Sequence, residues 1–288
     1  MDFTLTVYRE LLVALQGRGY GFQAFKDFLR CPAPKAVVLR HDIDRLPNNA
    51  VKMARLERGL GVAGTYFFRV VTGVWDEDAM ARIAAWGHEI GYHYEDLALT
   101  GGDSYSAILH FEFQLNRFHR IYPVETICMH GSPLSRHDNR DLWRDRTYRE
   151  FGIVGEPYFD VDFHKVFYLT DTGRKWNNAG ASLRDKVDSG FDIPVKSTAH
   201  LITLAGQGAL PDQIMITIHP QRWHDRPLPW AKELVLQRVK NVAKAGMVAL
   251  GKVKGERRRG GGGAAGRPIP SGKGDPDKPK EDGAASLP

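Results

Sequence analysis

Residues 36–49 read "AVVLRHDIDRLPNN", an apolar strand that ends in a run of ionisable groups. Because side chains alternate along an extended strand, Arg40, Asp42 and Asp44 share one face, while His41 lies on the other. Two carboxylates on one face are about 6 to 7 Å apart at Cα and repel each other unless a cation or a shared proton lies between them. A divalent metal held by one carboxylate, with the other free to act as a base, resolves this conflict.

Beyond this stretch, strand-like runs alternate with helical patterns along most of the chain. "GTYFFRV" (64–70) precedes "DEDAMARIAAWG" (76–87), and "QIMITIH" (213–219) precedes a last helical pattern at 229–246. This order predicts a parallel sheet covered by helices, and the number of strands suits a closed or nearly closed α/β barrel. The N-terminal segment predicts an amphipathic helix and a second short helix, packed under or beside the barrel.

Composition divides the chain into a folded domain at 1–254 and a disordered tail at 255–288. The tail is rich in Gly, Pro and charge, has no aromatic residue, and cannot bury enough apolar surface to offset the entropy of ordering. The net charge is +6, but residues 251–288 hold nine Lys or Arg and five Asp or Glu, which leaves only +2 for the rest. We therefore expect no specific nucleic-acid partner.

The N-terminus lacks the pattern of a secretory signal, and no run of about 18 uncharged apolar residues occurs along the chain. We expect a cytoplasmic, soluble protein without a membrane span. Cys31 and Cys128 are far apart and in no CxxC arrangement, which argues against a disulfide framework or a thiolate zinc site. Both are expected to be reduced and buried.

Ionisable residues recur where the predicted strands end. In parallel α/β folds the functional site lies beyond the carboxyl ends of the strands, so these residues are expected to converge there. Imidazole and carboxylate together favour zinc, iron, cobalt or nickel over magnesium or calcium, which prefer all-oxygen ligands. The strand-end residues are His41, Asp42, Asp44, Arg69, His93, Glu95, His130, Glu156, Asp171 and His219.

The last strand, "MITIHPQRW" (215–223), ends at His219 just before Pro220. A histidine at this point is well placed to act as a general acid toward a leaving group. A structural interpretation stays open, in which His219 only ends the strand and Trp223 packs on the rim of the barrel.

Three of these motifs resemble those of the polysaccharide deacetylase superfamily, which includes the chitin, chitooligosaccharide and peptidoglycan deacetylases. The motifs are "VVLRHDID" (37–44), "WGHEIGYHYEDL" (86–97) and "ITIHP" (216–220), and their order and spacing agree with the family. The resemblance implies a distorted (β/α)7-type barrel and a metal-dependent hydrolase that removes an acyl group, usually N-acetyl, from an amino sugar. The implied cofactor is a divalent transition metal, zinc first, with cobalt, nickel or iron as alternatives.

The resemblance implies roles for four residues. Asp42 matches the catalytic base, and His219 matches the catalytic acid. His93 matches the first metal-binding histidine, and Asp44 is the best match to the metal-binding aspartate.

The chain departs from the family pattern at two points in these motifs. Ile43 separates two aspartates that are usually adjacent, and Leu97 stands where the family has a second metal-binding histidine. His130, at the end of the next predicted strand, is our first choice for the missing ligand. Glu95 and Asp96 are the alternatives.

Two loops bear on the substrate. "HGSPLSRHDN" (130–139) stands where the family has an Arg-Pro loop that orients the base, so Arg40 or Arg174 is expected to take over that support. The segment 168–178 supplies Arg174 and Trp176, which we predict to contact the sugar together with Arg40 and Trp223. The same segment is also consistent with a turn around a buried tryptophan.

The leading hypothesis is therefore a cytoplasmic metal-dependent deacetylase that acts on a nucleotide-linked, lipid-linked or small soluble sugar, with a role in surface-polysaccharide biosynthesis as one setting. A second hypothesis is an amidohydrolase for a small nitrogenous metabolite on the same scaffold. A third is a non-catalytic carbohydrate-binding barrel that has lost its metal, which the leucine at position 97 favours. Oligomeric state does not follow from the sequence.

Overall fold

The computed structural model describes residues 1–176, 187–239 and 241. Residues Met1–Asn241 form one compact unit. The predicted tail at 255–288, the predicted domain boundary at 254 and the last part of the predicted helix at 229–246 lie outside the described residues. No helix within the described ranges combines the length and apolar character needed to span a membrane.

Strands and helices alternate through the described chain. The strands are β1 (Gly21–Gln23), β2 (Ala36–Ile43), β3 (Thr65–Phe68), β4 (Glu89–Tyr94), β5 (Ile127–Met129), β6 (Phe167–Thr170) and β7 (Gln213–Ile218). The helices are α1 (Leu5–Gly17), α2 (Phe25–Arg30), α3 (Pro47–Gly59), α4 (Glu77–Ala85), α5 (Asp96–Leu99), α6 (Ser104–His119), α7 (Pro157–Asp160) and α8 (Thr198–Gln207). A further helix is described from 227 to 239, and 3₁₀ turns lie at Asn139–Trp143, Tyr148–Phe151 and Pro220–Arg222.

The strands form one parallel sheet in the order β5-β4-β3-β2-β7-β6. Strand β2 is central: β7 pairs along one edge, while β1 and β3 pair with successive halves of the other. The predicted parallel α/β architecture is thus confirmed, with the N-terminal helical segment in place.

The sheet is a curled half-barrel, which confirms the predicted barrel-like α/β fold but not a closed barrel of seven strands. Among the described residues no pairing joins the β5 side to β6. The segment "FGIVGE" (151–156), which also has the composition of a strand, contributes only the bridge from Thr126 to Gly155. Between β5 and β6 the chain runs through 3₁₀ turns and the four-residue α7, so no strand there is long enough to close the sheet.

Alternation along β2 divides its side chains between two environments, as the sequence predicts. Ala36 and Val38 point to the concave side, where they pack with Phe67 and other side chains of the inner cluster. Val37 and Leu39 point to the opposite side, where they pack with apolar residues of α1 and α8. Because the buried concave side of β2 continues to Arg40 and Asp42, its last residues bring charge into the interior.

A polar cluster closes the amino-terminal end of the half-barrel. The buried Glu89 carboxylate accepts hydrogen bonds from the hydroxyls of Thr65 (2.8 Å) and Thr126 (2.6 Å) and from the backbone amide of Lys26 (3.1 Å). These contacts tie β3, β4 and α2 together at the bottom. The opposite end, where the strands finish, is left for the functional side chains.

We predict that Gly91→Ala destabilises the fold, because a Cβ at this position in β4 would overlap the Phe67 ring and lie 3.0 Å from the Thr126 carbonyl oxygen. Overpacking of this kind lowers the free energy of unfolding by about 1 to 3 kcal/mol, measurable by urea denaturation. Gly59→Ala is the matched control, since a Cβ there meets nothing within 4 Å. A Gly91→Ala protein as stable as the wild type would contradict this view of the interior.

Candidate active site

Three histidines surround the carboxylate of Asp44 at the carboxyl end of the sheet. Its Oδ1 lies 3.6 Å from Nε2 of His93 and 3.6 Å from Nε2 of His130, and its Oδ2 lies 3.8 Å from Nε2 of His219. These side chains come from the ends of β4, β5 and β7. The convergence predicted for the strand ends is therefore present around Asp44.

The hydrogen bonds of His93 and His130 determine which ring nitrogen faces Asp44. Nδ1 of His93 lies 2.9 Å from the carbonyl oxygen of Cys128, and Nδ1 of His130 lies 2.8 Å from the Glu95 carboxylate. Both partners accept hydrogen bonds, so each Nδ1 carries a proton, and in the neutral ring the Nε2 lone pair points toward Asp44. Burial lowers the pKa of His93 to about 4, despite the nearby Asp42, so this ring is neutral at pH 7.

A buried aspartate holds His219. Asp171, at the end of β6, accepts from Nδ1 of His219 (2.7 Å), from its backbone amide (3.0 Å) and from the Trp223 indole (2.8 Å). The Arg222 guanidinium pairs with the same carboxylate at 2.6 Å. Burial alone would raise the pKa of Asp171, but Arg222 and His219 outweigh it and lower the pKa to about 2. The ionised carboxylate therefore keeps the proton on Nδ1 of His219 and turns Nε2 toward Asp44.

Asp42 is held by its neighbour on the same face of β2. Arg40 donates from Nε to Oδ1 (2.9 Å) and from Nη2 to Oδ2 (2.7 Å), and its Nη1 donates to the Tyr158 hydroxyl (3.1 Å). Arg40 is completely buried and Asp42 is 2% exposed. Although burial opposes ionisation, Arg40 lowers the pKa of Asp42 below its ordinary value. The predicted support of Asp42 by Arg40 is thus present as a bidentate pair.

The charges of the site are unevenly balanced. Each of three carboxylates has its own guanidinium within 3 Å, in the pairs Asp42–Arg40, Glu95–Arg69 and Asp171–Arg222. Asp44 has no such partner among the described residues: Gln221 donates to its Oδ2 at 3.2 Å, and its buried Oδ1 has no hydrogen-bond donor there. The surrounding imidazoles nevertheless hold the pKa of Asp44 well below its usual range, against the effect of burial. The Asp44 carboxylate therefore faces three ring nitrogens, and no guanidinium of the described residues pairs with it.

A second, more buried group of potential ligands overlaps this site. The ligand atoms of Asp42, His93 and Cys128 all lie within 4.8 Å of one another, so this group could hold a metal ion. His93 belongs to both groups, since its Nε2 lies 3.7 Å from Asp42 and 3.6 Å from Asp44. Cys128 is buried, as the sequence predicts, whereas the same prediction is wrong for Cys31, which is exposed. The position of Cys128 beside His93 follows from the pairing of β4 with β5.

The residues proposed for the missing ligand differ in where they point. His130 faces Asp44, whereas Glu95 lies behind His130 and receives hydrogen bonds from Arg69 at 2.9 Å and from the Ser132 hydroxyl at 3.1 Å. Asp96 turns away from the site to accept from the Tyr92 hydroxyl at 2.8 Å. Leu97 packs in the apolar core. Of the three candidates, the structure brings only His130 to Asp44 as a direct neighbour.

Three residues predicted to contact the sugar lie away from the site around Asp44. Trp223 and Trp176 are 1% and 3% exposed and pack in the cluster below α1, where the Trp176 indole donates to the Thr198 hydroxyl at 2.8 Å. The Arg174 guanidinium stacks over the rings of Phe3 (5.2 Å) and Trp230 (4.8 Å). Stacking on a sugar needs an exposed ring face, which neither indole offers, so the structure does not support substrate contact by Arg174, Trp176 or Trp223. The alternative, a turn around a buried tryptophan, agrees with it.

The outer face of β2 carries another buried polar cluster, which the sequence did not reveal. The Glu57 carboxylate from α3 accepts from the hydroxyls of Tyr8 (2.6 Å) and Tyr66 (2.8 Å) and lies 2.8 Å from Nε2 of His41. Burial opposes its ionisation, but His41 and these donors lower the pKa of Glu57. His88 also borders this cluster, with its Nδ1 3.5 Å from the Glu57 carboxylate.

The sequence also left Asp171, Arg222 and Arg69 without roles. Asp171 and Arg69 were recognised as strand-end residues, but their partners lie on other strands or loops and share no local motif with them. The signal in the sequence was that Asp171 ends a strand. Because β6 and β7 are neighbours in a parallel sheet, their ends meet, which brings Asp171 next to His219.

Comparisons of the chain with protein-family models, with curated proteins and with solved structures gave no match. The resemblance to the polysaccharide deacetylases therefore continues to rest on the three sequence motifs.

We predict that Asp171→Asn lowers the free energy of unfolding at pH 7 and that the loss depends on pH. A carboxylate whose pKa is about 2 in the fold and about 3.9 unfolded contributes roughly 2 kcal/mol above pH 4, and this contribution disappears as the pH falls through 2. Urea denaturation at pH 7 and at low pH measures the difference from the wild type.

The exposed Asp145→Asn is the matched control and should change stability little at either pH. An Asp171→Asn deficit that is as large near pH 2 as at pH 7 would exclude the ionised pair as its cause.

Proposed function

We propose that the protein is a metal-dependent hydrolase that removes an acyl group, N-acetyl first, from a small or carrier-linked amino sugar in the cytoplasm. The observation that carries the proposal is the arrangement around Asp44: a carboxylate without a guanidinium partner, faced by Nε2 atoms of His93, His130 and His219. The resemblance of the motifs supports the choice of reaction.

We assign Asp44, His93 and His130 to a divalent transition metal, zinc first, with cobalt, nickel or iron as alternatives. The donor set fits such an ion, because Asp44 Oδ1 is buried without a donor among the described residues. The imidazoles of His93 and His130 direct their Nε2 lone pairs toward the same oxygen. The proton on Nδ1 of each ring is held by a carbonyl or a carboxylate, an arrangement typical of metal-binding histidines. The more compact Asp42–His93–Cys128 group is less suited, because both oxygens of Asp42 already accept from Arg40.

Asp42 and His219 are assigned the roles of general base and general acid. Asp42 is ionised and fixed in orientation by Arg40, so it can accept a proton from an attacking water molecule. His219 is oriented by Asp171 with Nε2 toward the site, so in its protonated form it can donate to the departing amine. The two lie on paired strands, Asp42 on β2 and His219 directly after β7. A bound divalent cation would polarise the amide carbonyl and lower the pKa of the water.

The structure gives a reason to prefer this function to a barrel that has lost its metal. That alternative drew on Leu97, and in the structure Leu97 lies in the core while a different histidine stands beside Asp44. An amidohydrolase acting on a small nitrogenous metabolite would use the same acid and base, so the substrate screen distinguishes it.

We predict that purified protein binds about one equivalent of a transition metal and that His130→Ala and Asp44→Asn remove it, since each deletes a ligand. Cys128→Ser distinguishes the two candidate groups. The variant keeps the metal if Asp44, His93 and His130 bind it, and loses the metal if Asp42, His93 and Cys128 bind it. Elemental analysis of untagged protein after incubation with zinc, cobalt or nickel provides the measurement.

His164→Ala is the matched control because this histidine is exposed and far from the motifs, and it should leave metal content unchanged. Protein that retains no metal under any of these conditions would refute the proposed centre.

We predict that Asp42→Asn and His219→Gln keep the metal and reduce acyl release by about 10² to 10⁴ fold, the usual contribution of a general base or acid. The assay measures acetate released from a panel of N-acetylated mono- and oligosaccharides and nucleotide-linked sugars. Variants with unchanged turnover would refute the assigned roles. Metal-loaded wild type that releases acetate from no sugar, yet hydrolyses small amides, would select the amidohydrolase alternative.

A further inference from the structure

Helix α6 has an apolar row on its solvent face in addition to the face that packs into the core. Tyr105, Leu109 and Phe113 are 73%, 49% and 62% exposed. Because they are spaced four residues apart, they follow one another along the helix and form a single ridge. Scattered exposed apolar side chains need no explanation, but a continuous row of three large ones indicates an interaction surface.

A cavity of about 570 Å³ lies at one end of this row and is lined by Phe113, Asn116, Arg117 and Arg120. The Arg117 guanidinium is held over the Trp75 ring at 4.2 Å, which fixes one wall. An aromatic ring, an amide and two guanidiniums offer stacking, cation–π contact and a hydrogen bond to the same guest. A tyrosine side chain has the chemistry that this cavity fits.

The charges along α6 differ between its two ends. The exposed Asp103 caps the first turn, where its carboxylate accepts from the Tyr105 amide at 3.0 Å. The last turn carries Arg117 and His119, followed by Arg120. These side-chain charges are opposite in sign to the helix dipole at each end. Opposite side-chain charges therefore meet when two copies of the helix pack antiparallel, and like charges meet when they pack parallel.

We propose that α6 is the contact of a homodimer in which the Tyr105–Leu109–Phe113 row packs antiparallel on the same row of a second copy. A two-fold axis at Leu109 sets each Leu109 against its counterpart and each Tyr105 against Phe113 and its cavity. The same axis brings the Asp103 end of one helix to the Arg117 and Arg120 end of the other. The surface is thus complementary to itself in shape, apolar contact and charge.

The interface is small, since α6 is 16 residues and about 24 Å long. We therefore expect a reversible dimer that dissociates over roughly the micromolar range. Sedimentation equilibrium of the full chain at rising concentration measures it. Leu109→Arg and Phe113→Glu should each shift the equilibrium to monomer, while Leu134→Glu, at a position 88% exposed outside the row, should not.

The register is tested in a Cys31→Ser background, which removes the exposed native thiol and leaves only the buried Cys128. Leu109→Cys should crosslink to itself with a short bis-maleimide, since the axis pairs the residue with its own copy. A mixture of the Tyr105→Cys and Phe113→Cys proteins should crosslink far more than either alone. Leu228→Cys, 84% exposed on another helix, is the control and should not crosslink.

Circular dichroism of each variant shows that it has folded. A wild type that stays monomeric at about 100 μM would overturn the proposal. So would a dimer that survives both charge substitutions, or one that crosslinks through position 228 and not through position 109.

Discussion

The unpaired charge of Asp44 is the constraint on which the site depends. A carboxylate taken from water into a partly buried position loses solvation, and the loss is offset only by a counter-charge or several donors. Its neighbours solve this problem with one guanidinium each, as Asp42 does with Arg40. Asp44 instead faces neutral or titratable imidazoles, an arrangement that a divalent cation would complete.

Strand β2, which leads to Asp44, is held in place by strands on both of its edges and by contacts behind it. It pairs with β7 along one edge and with β1 and β3 along the other, and its last residues pair with β3 and β7. Behind it, His41 is tied to Glu57 and thereby to the hydroxyls of Tyr8 and Tyr66. Ionisable side chains therefore lie on both the inner and the outer face of β2, because side chains alternate along the strand.

Local pattern predicts those parts of the structure that one strand or helix determines by itself. The split of Arg40 and His41 between opposite faces follows from strand alternation, and the gathering of His93, His130 and His219 follows from strands that end on one side. Closure of the barrel does not follow, because it depends on whether a distant segment forms enough ladder hydrogen bonds. The burial of Trp176 and the partnership of Asp171 with His219 likewise depend on contacts across elements, for which the sequence carries no periodicity.

His130 reaches Asp44 from a different strand than His93 does. In register, His93 pairs with Cys128, and the amide of His130 donates to the carbonyl oxygen of Tyr94 at 2.8 Å. Position 130 therefore lies one step beyond the paired strands and at the height of the site, on the neighbour of the strand that carries His93. Glu95, left free of any direct contact with Asp44, then acquires the separate task of holding the His130 ring.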